Sequence, residues 1–115
     1  MKKFAALLAL GVMLSAGAAV AQTMQNAYNN TVVVTNASGA QARYHFNADG
    51  SFTIHTPDGQ QVTGTYAIEG EQICLTPAGG ERACTQYVGD KNVGDTWTQT
   101  GTDGSQVTVT LQAGR

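Results

Sequence analysis

Glycine-terminated turn signals cut residues 31–112 into short pieces: Asn47-Ala48-Asp49-Gly50, Pro57-Asp58-Gly59, Glu69-Gly70, Gly79-Gly80 and Asp103-Gly104. Between them apolar and polar residues alternate, the pattern of strands with one buried face. No window beyond the first 21 residues sustains the i, i+3, i+4, i+7 spacing of an amphipathic helix. The chain is therefore expected to be all-β, an antiparallel up-and-down meander of about eight short strands forming a small closed or nearly closed barrel. The strands are expected at 31–35, 42–47, 51–56, 61–68, 72–76, 82–88, 96–100 and 106–112.

The turns also set a register, because a slip of one residue would turn every apolar side chain toward water. Around Asp49, Phe46 faces Phe52 and Tyr44 faces Ile54; around Asp103, Trp97 faces Val109. The inward set is then Val32, Val34, Tyr44, Phe46, Phe52, Ile54, Val62, Tyr66, Ile68, Ile73, Leu75, Tyr87, Trp97, Val107, Val109 and Leu111. An eight-stranded barrel has an interior just wide enough for its own side chains. These rings and aliphatics are expected to fill it largely, leaving little room for an internal ligand.

Lys2 and Lys3 precede an apolar run from Phe4 to Val20 that ends in Ala19-Val20-Ala21, as a secretory signal peptide does. Residues 1–21 are read as that leader, bacterial in type, with a periplasmic or secreted destination and no membrane attachment once it is cleaved. Residues 22–30, polar and without periodicity, are expected to be a flexible arm, and 31–115 a single β domain. Beyond the leader the basic residues are Arg43, Arg82, Lys91 and Arg115, against eight acidic ones. An acidic domain without a basic stripe is a poor nucleic-acid binder.

Cys74 and Cys84 form an even pair in an oxidising compartment, so a disulfide is expected. They stand symmetrically about Gly79, which places them opposite one another if 72–76 and 82–88 pair as a hairpin. Closing that loop stabilises the fold by about 2.8 kcal/mol in the chain-entropy description. The spacing is not CxxC, and a redox role is not expected.

Tyr44-His45-Phe46-Asn47-Ala48-Asp49-Gly50-Ser51-Phe52, then Gly64-Thr65-Tyr66 and Ile73-Cys74-Leu75, resemble small secreted bacterial lipocalin-like domains. In that pattern a Phe-x-x-Asp-Gly-x-Phe hairpin precedes Gly-Thr-Trp/Tyr and a strand with a Cys. The resemblance spans residues 42–88. It departs from true lipocalins in lacking the early Gly-x-Trp, the long strands and the C-terminal helix, and it implies the fold rather than an activity.

Candidate sites are few. His45 and His55, the only histidines, fall on the outward face, diagonal to one another with Arg43 opposite His55. They form a possible partner-contact patch, while the neighbouring guanidinium disfavours a metal. Trp97, the only tryptophan, stands beside the 89–95 connection, expected to be the most mobile loop, and could anchor a ligand or partner at the rim. Asn47-Ala48-Asp49-Gly50-Ser51 matches only the start of a calcium loop and reads as a turn. Outward threonines (Thr53, Thr63 and Thr65; Thr96, Thr98, Thr100, Thr108 and Thr110) read as β-formers on a solvated face. No Ser or Cys has the His and carboxylate company of a nucleophile, and no cofactor motif occurs. The sequence reading therefore favours an exported, non-enzymatic module that engages an envelope protein partner or inhibits an enzyme. A lipocalin-like carrier of a small apolar ligand is the alternative.

Overall fold

A computed structural model of the protein describes residues 22–115; the expected leader lies outside the described residues. Eight strands follow in chain order, β1 (Thr31–Thr35), β2 (Gln41–Phe46), β3 (Ser51–His55), β4 (Gln61–Glu69), β5 (Gln72–Pro77), β6 (Ala83–Gln86), β7 (Thr96–Thr100) and β8 (Gln106–Gln112). All pairings are antiparallel, in the spatial order β6-β5-β4-β3-β2-β1-β8-β7. The β1–β8 ladder turns the meander back on itself, so β6 and β7 come together as the two edges of a nearly closed barrel.

The register follows from the turns. Phe46 pairs with Phe52, Tyr44 with Ile54, Trp97 with Val109 and Cys74 with Cys84. Glycines at positive φ end the tight turns, Gly50 at 90° and Gly59 at 87° among them, a conformation that costs a residue without Cβ little. Cys74 and Cys84 are disulfide-bonded with their Cα atoms 4.0 Å apart. The bond ties β6, the shortest strand, to its only ladder partner.

Residues 22–30 are not a flexible arm. Residues 22–27 form a short helix, α1, lying across one end of the barrel. Met24 and Ala27 are buried there, Ala27 only 1 % exposed, and they join a core cluster with Phe46, Phe52, Ile73 and Leu111. Thr23 fixes the helix to the 89–95 connection: its N–H donates to the Gly89 carbonyl (3.3 Å), and its Oγ1 donates to Val88 O (2.6 Å) and accepts from Lys91 N–H (2.8 Å). Asn26 Nδ2 donates to Lys91 O (2.9 Å). Those bonds draw the chain out of the sheet, which is why β6 stops at Gln86 instead of running to 88. They also hold the connection expected to be the most mobile, together with Gly94 N–H to Leu111 O (2.6 Å) and Leu111 N–H to Asp95 O (3.0 Å).

The packing is lopsided. Phe46, Phe52, Ile73, Val109 and Leu111 are buried, whereas the other inward residues, including Val34, Tyr44, Leu75, Trp97 and Val107, are only half-buried. The dense layer sits beside α1. Toward the opposite end, formed by the turns after β1, β3, β5 and β7, the walls are not filled to contact, so the expectation of a largely filled interior is corrected. The placement of α1 explains the difference: the strands set the wall height, but only the end that α1 covers has a plug.

Within that layer Gly64 faces Phe52 across the β3–β4 ladder. A Cβ on Gly64 would lie 2.8 Å from Phe52 Cζ and 2.8 Å from Pro77 Cα, and would also overlap the Thr76 carbonyl oxygen. The Phe52 ring occupies the space a side chain would take, and backbone lines the other side, so no flexible group can yield. Gly64→Ala is expected to destabilise the domain by about 2–4 kcal/mol in urea unfolding, above the usual range of small overpacking changes because backbone must move. A loss below about 0.5 kcal/mol would contradict this close approach.

Candidate functional site

The unfilled part of the barrel is a cavity of about 270 Å³. Met24 and Ala27 of α1 form its floor. Val34, Tyr44, Leu75, Val107 and Val109 are among the apolar walls, contributed by β1, β2, β5 and β8. Its mouth lies between the turn that starts at Asn36 and the turn from Gly101 to Ser105. Most of the wall is hydrocarbon because the alternation of these strands directs their apolar residues inward.

One side of the wall differs. Where β6 meets β7 there is no backbone ladder, and side chains close the seam. Gln99 Nε2 donates to the Gln86 carbonyl (2.9 Å), and Thr85 Oγ1 donates to the Thr100 carbonyl (2.7 Å). Gln99 Oε1 accepts from Trp97 Nε1 (2.7 Å), which fixes the indole along the cavity wall. Lys91 Nζ lies 5.5 Å from the centroid of the Trp97 ring. Thr85, Tyr87, Trp97 and Gln99 thus form a polar stripe opposite the aliphatic walls.

The cavity holds little charge. Burial pushes the Tyr44 and Tyr87 phenols above their ordinary pKa, so both hydroxyls stay protonated. Tyr87 Oη accepts the Met24 N–H (3.1 Å), linking the stripe to the floor. Among the described residues the one charged group on the lining is Asp103, at the mouth. Its Oδ1 accepts from Ser105 Oγ (2.7 Å) and Ser105 N–H (3.0 Å), and these bonds lower its pKa, so it remains a carboxylate.

The residues singled out from the sequence separate into two places. Trp97 lines the cavity. Arg43, His45 and His55 lie together on the outer face of β2 and β3, with the two imidazole centroids 5.1 Å apart and Arg43 paired with His55 in the ladder. Arg43 Nη1 donates to Gln112 Oε1 (3.3 Å). Partial burial first, then Arg115, His55 and Arg43, lower the His45 pKa, favouring the neutral ring. Among the described residues no group of three or more His, Cys, Asp or Glu gathers as metal ligands.

Gln99, Thr85 and the α1 floor escaped the sequence reading. Gln99 follows Trp97 by two residues and so shares its inward face, but an amide carries no hydrophobic signal. Met24, Ala27 and Tyr28 have i, i+3, i+4 spacing, one turn only, which is too short to register as periodicity.

If side chains alone hold the seam, it is the weakest closure of the barrel. Gln99→Ala removes one of the two bonds across the seam and the bond that fixes Trp97, each worth about 1 kcal/mol, and should speed amide exchange in β6 and β7 by about tenfold or more relative to β2–β4. Equal changes in all strands would show that the seam is not a separate weak point.

Comparison with known proteins brings no relative to bear on this cavity: no family model matches the chain, and neither does any curated protein or any solved structure.

Proposed function

We propose that this protein is an exported, non-enzymatic β-barrel that binds a small apolar molecule in its open cavity. The observation that carries the reading is the apolar-walled space of about 270 Å³ with an indole fixed in its wall. Small-molecule sites usually start at about 300 Å³, so the ligand is small. Export rests on the leader-like residues 1–21. The disulfide is compatible with an extracytoplasmic location. So is the lack, among the described residues, of a helix long and apolar enough to cross a membrane.

A second reading, contact with an envelope protein, is favoured by the outer patch. Arg43, His45 and His55 gather there on a chain in which acidic residues outnumber basic ones. The Arg43 guanidinium is the charge of that patch and would pair with a carboxylate on a partner.

Native mass spectrometry of the protein purified from its own host separates the two. The cavity reading expects a small-molecule adduct on the wild type that is absent from Val107→Phe, whose ring occupies the space. A bare wild-type mass, or an adduct retained unchanged by Val107→Phe, contradicts it. A protein adduct lost in Arg43→Glu favours the outer patch instead.

A further inference from the structure

We infer that the cavity selects an uncharged aliphatic amphiphile with a hydrogen-bonding head, such as an alcohol or amide, and rejects the carboxylate of the same chain length. The inference rests on the cavity reading and adds the chemistry of the ligand to it.

Three features lead to it. The floor of Met24 and Ala27 and the aliphatic walls offer an apolar tail a continuous hydrocarbon surface. Among the described residues no lysine, arginine or histidine lines the cavity: Arg43, His45 and His55 lie on the outer face, Arg115 is engaged outside with Asn30, Phe46 and Asn47, Arg82 pairs with Glu69, and Lys91, over the Trp97 ring, belongs to the connection at the α1 end, away from the mouth. A carboxylate brought inside would thus lose its water without gaining a cation, a costly exchange. The third feature is Asp103, a negative charge at the mouth, where a head group would rest when the tail reaches the floor. It repels an anion and accepts a hydrogen bond from a hydroxyl or amide.

The polar stripe completes the match for an uncharged head. The Gln99 amide spends one N–H on Gln86 and one lone pair on Trp97, which leaves one N–H and one lone pair for another partner. Asn36, at the same end, turns its Oδ1 inward on its own loop, accepting from Ser38 N–H (3.0 Å), Ser38 Oγ (2.6 Å) and Ala40 N–H (3.1 Å). Among the described residues that line the cavity at this end, the donors and acceptors are neutral apart from Asp103.

Trp97 is the only tryptophan and lines the cavity, so its emission reports occupancy directly. The wild-type protein is titrated at pH 8 with octan-1-ol and with octanoate, both below their aggregation limits, and Trp97 emission is followed. Octan-1-ol is expected to bind about tenfold or more tightly than octanoate, in keeping with an unpaired charge in an apolar site. Asp103→Asn keeps the acceptor for Ser105 while removing the charge, and should narrow the gap by improving octanoate alone. Equal affinities for the two ligands, or tighter binding of octanoate, would overturn the charge selectivity while leaving the cavity reading intact. A gap unchanged in Asp103→Asn would overturn the role given to Asp103. If neither ligand alters Trp97 emission, the cavity reading fails and this inference with it.

Discussion

The layer in which Phe52 covers Gly64 and Phe46 meets Met24 and Ala27 of α1 governs the rest of the molecule. Phe46 and Tyr66 meet edge to face with centroids 5.1 Å apart, and Phe52 and Leu111 are the largest fully buried side chains. Burying a side chain of this size contributes about 1.5–3 kcal/mol before entropy is counted. Concentrating that burial at one end lets short strands form a stable wall without filling the volume they enclose. The other end is then free to be something other than core.

The ends are secured differently. Near α1, polar groups form a connected set: Tyr66 Oη donates to Asn47 O (2.8 Å), Tyr28 and Tyr66 share a hydrogen bond (3.3 Å), and Arg115 donates to Phe46 O, Asn30 O and Asn47 Oδ1. Burial, with Tyr28 beside it, raises the Tyr66 pKa, which keeps that phenol a donor. At the mouth, three of the turns are held by local side-chain caps. Asn36, Asp58 and Asp103 accept bonds from residues two away, within single turns, and none of these bonds crosses the opening. The closing forces of the barrel act at its base and along its ladders, while the β6–β7 seam relies on two side-chain bonds and the disulfide behind β6.

Most of this arrangement is legible in the amino-acid sequence because period-two alternation and glycine turns act locally. The limits of β1, β7 and β8, the pairing of Phe46 with Phe52 and the opposition of Cys74 to Cys84 all follow from them. What is not legible depends on distant partners. Helix formation at 22–27 needs Thr23 to meet Val88, Gly89 and Lys91, more than sixty residues away. The cavity is harder still to read, since it is a difference between enclosed volume and side-chain volume, and no residue pattern encodes a void. As the only tryptophan, Trp97 is legible as an anchor, whereas Gln99, which orients it, is not. Alternation puts Arg43, His45 and His55 on the face opposite Tyr44 and Ile54, and none of the three is among the described residues that line the cavity.

The central claim is that one end of this barrel is solid and the other hollow. Xenon, which enters dry apolar cavities, tests it without assuming a ligand. Methyl NMR under xenon pressure should show saturable shifts at Val34, Leu75 and Val107, with the Val33 methyls on the outer face unaffected. Shifts that are absent, or that rise linearly and equally at all four residues, would contradict a hollow barrel.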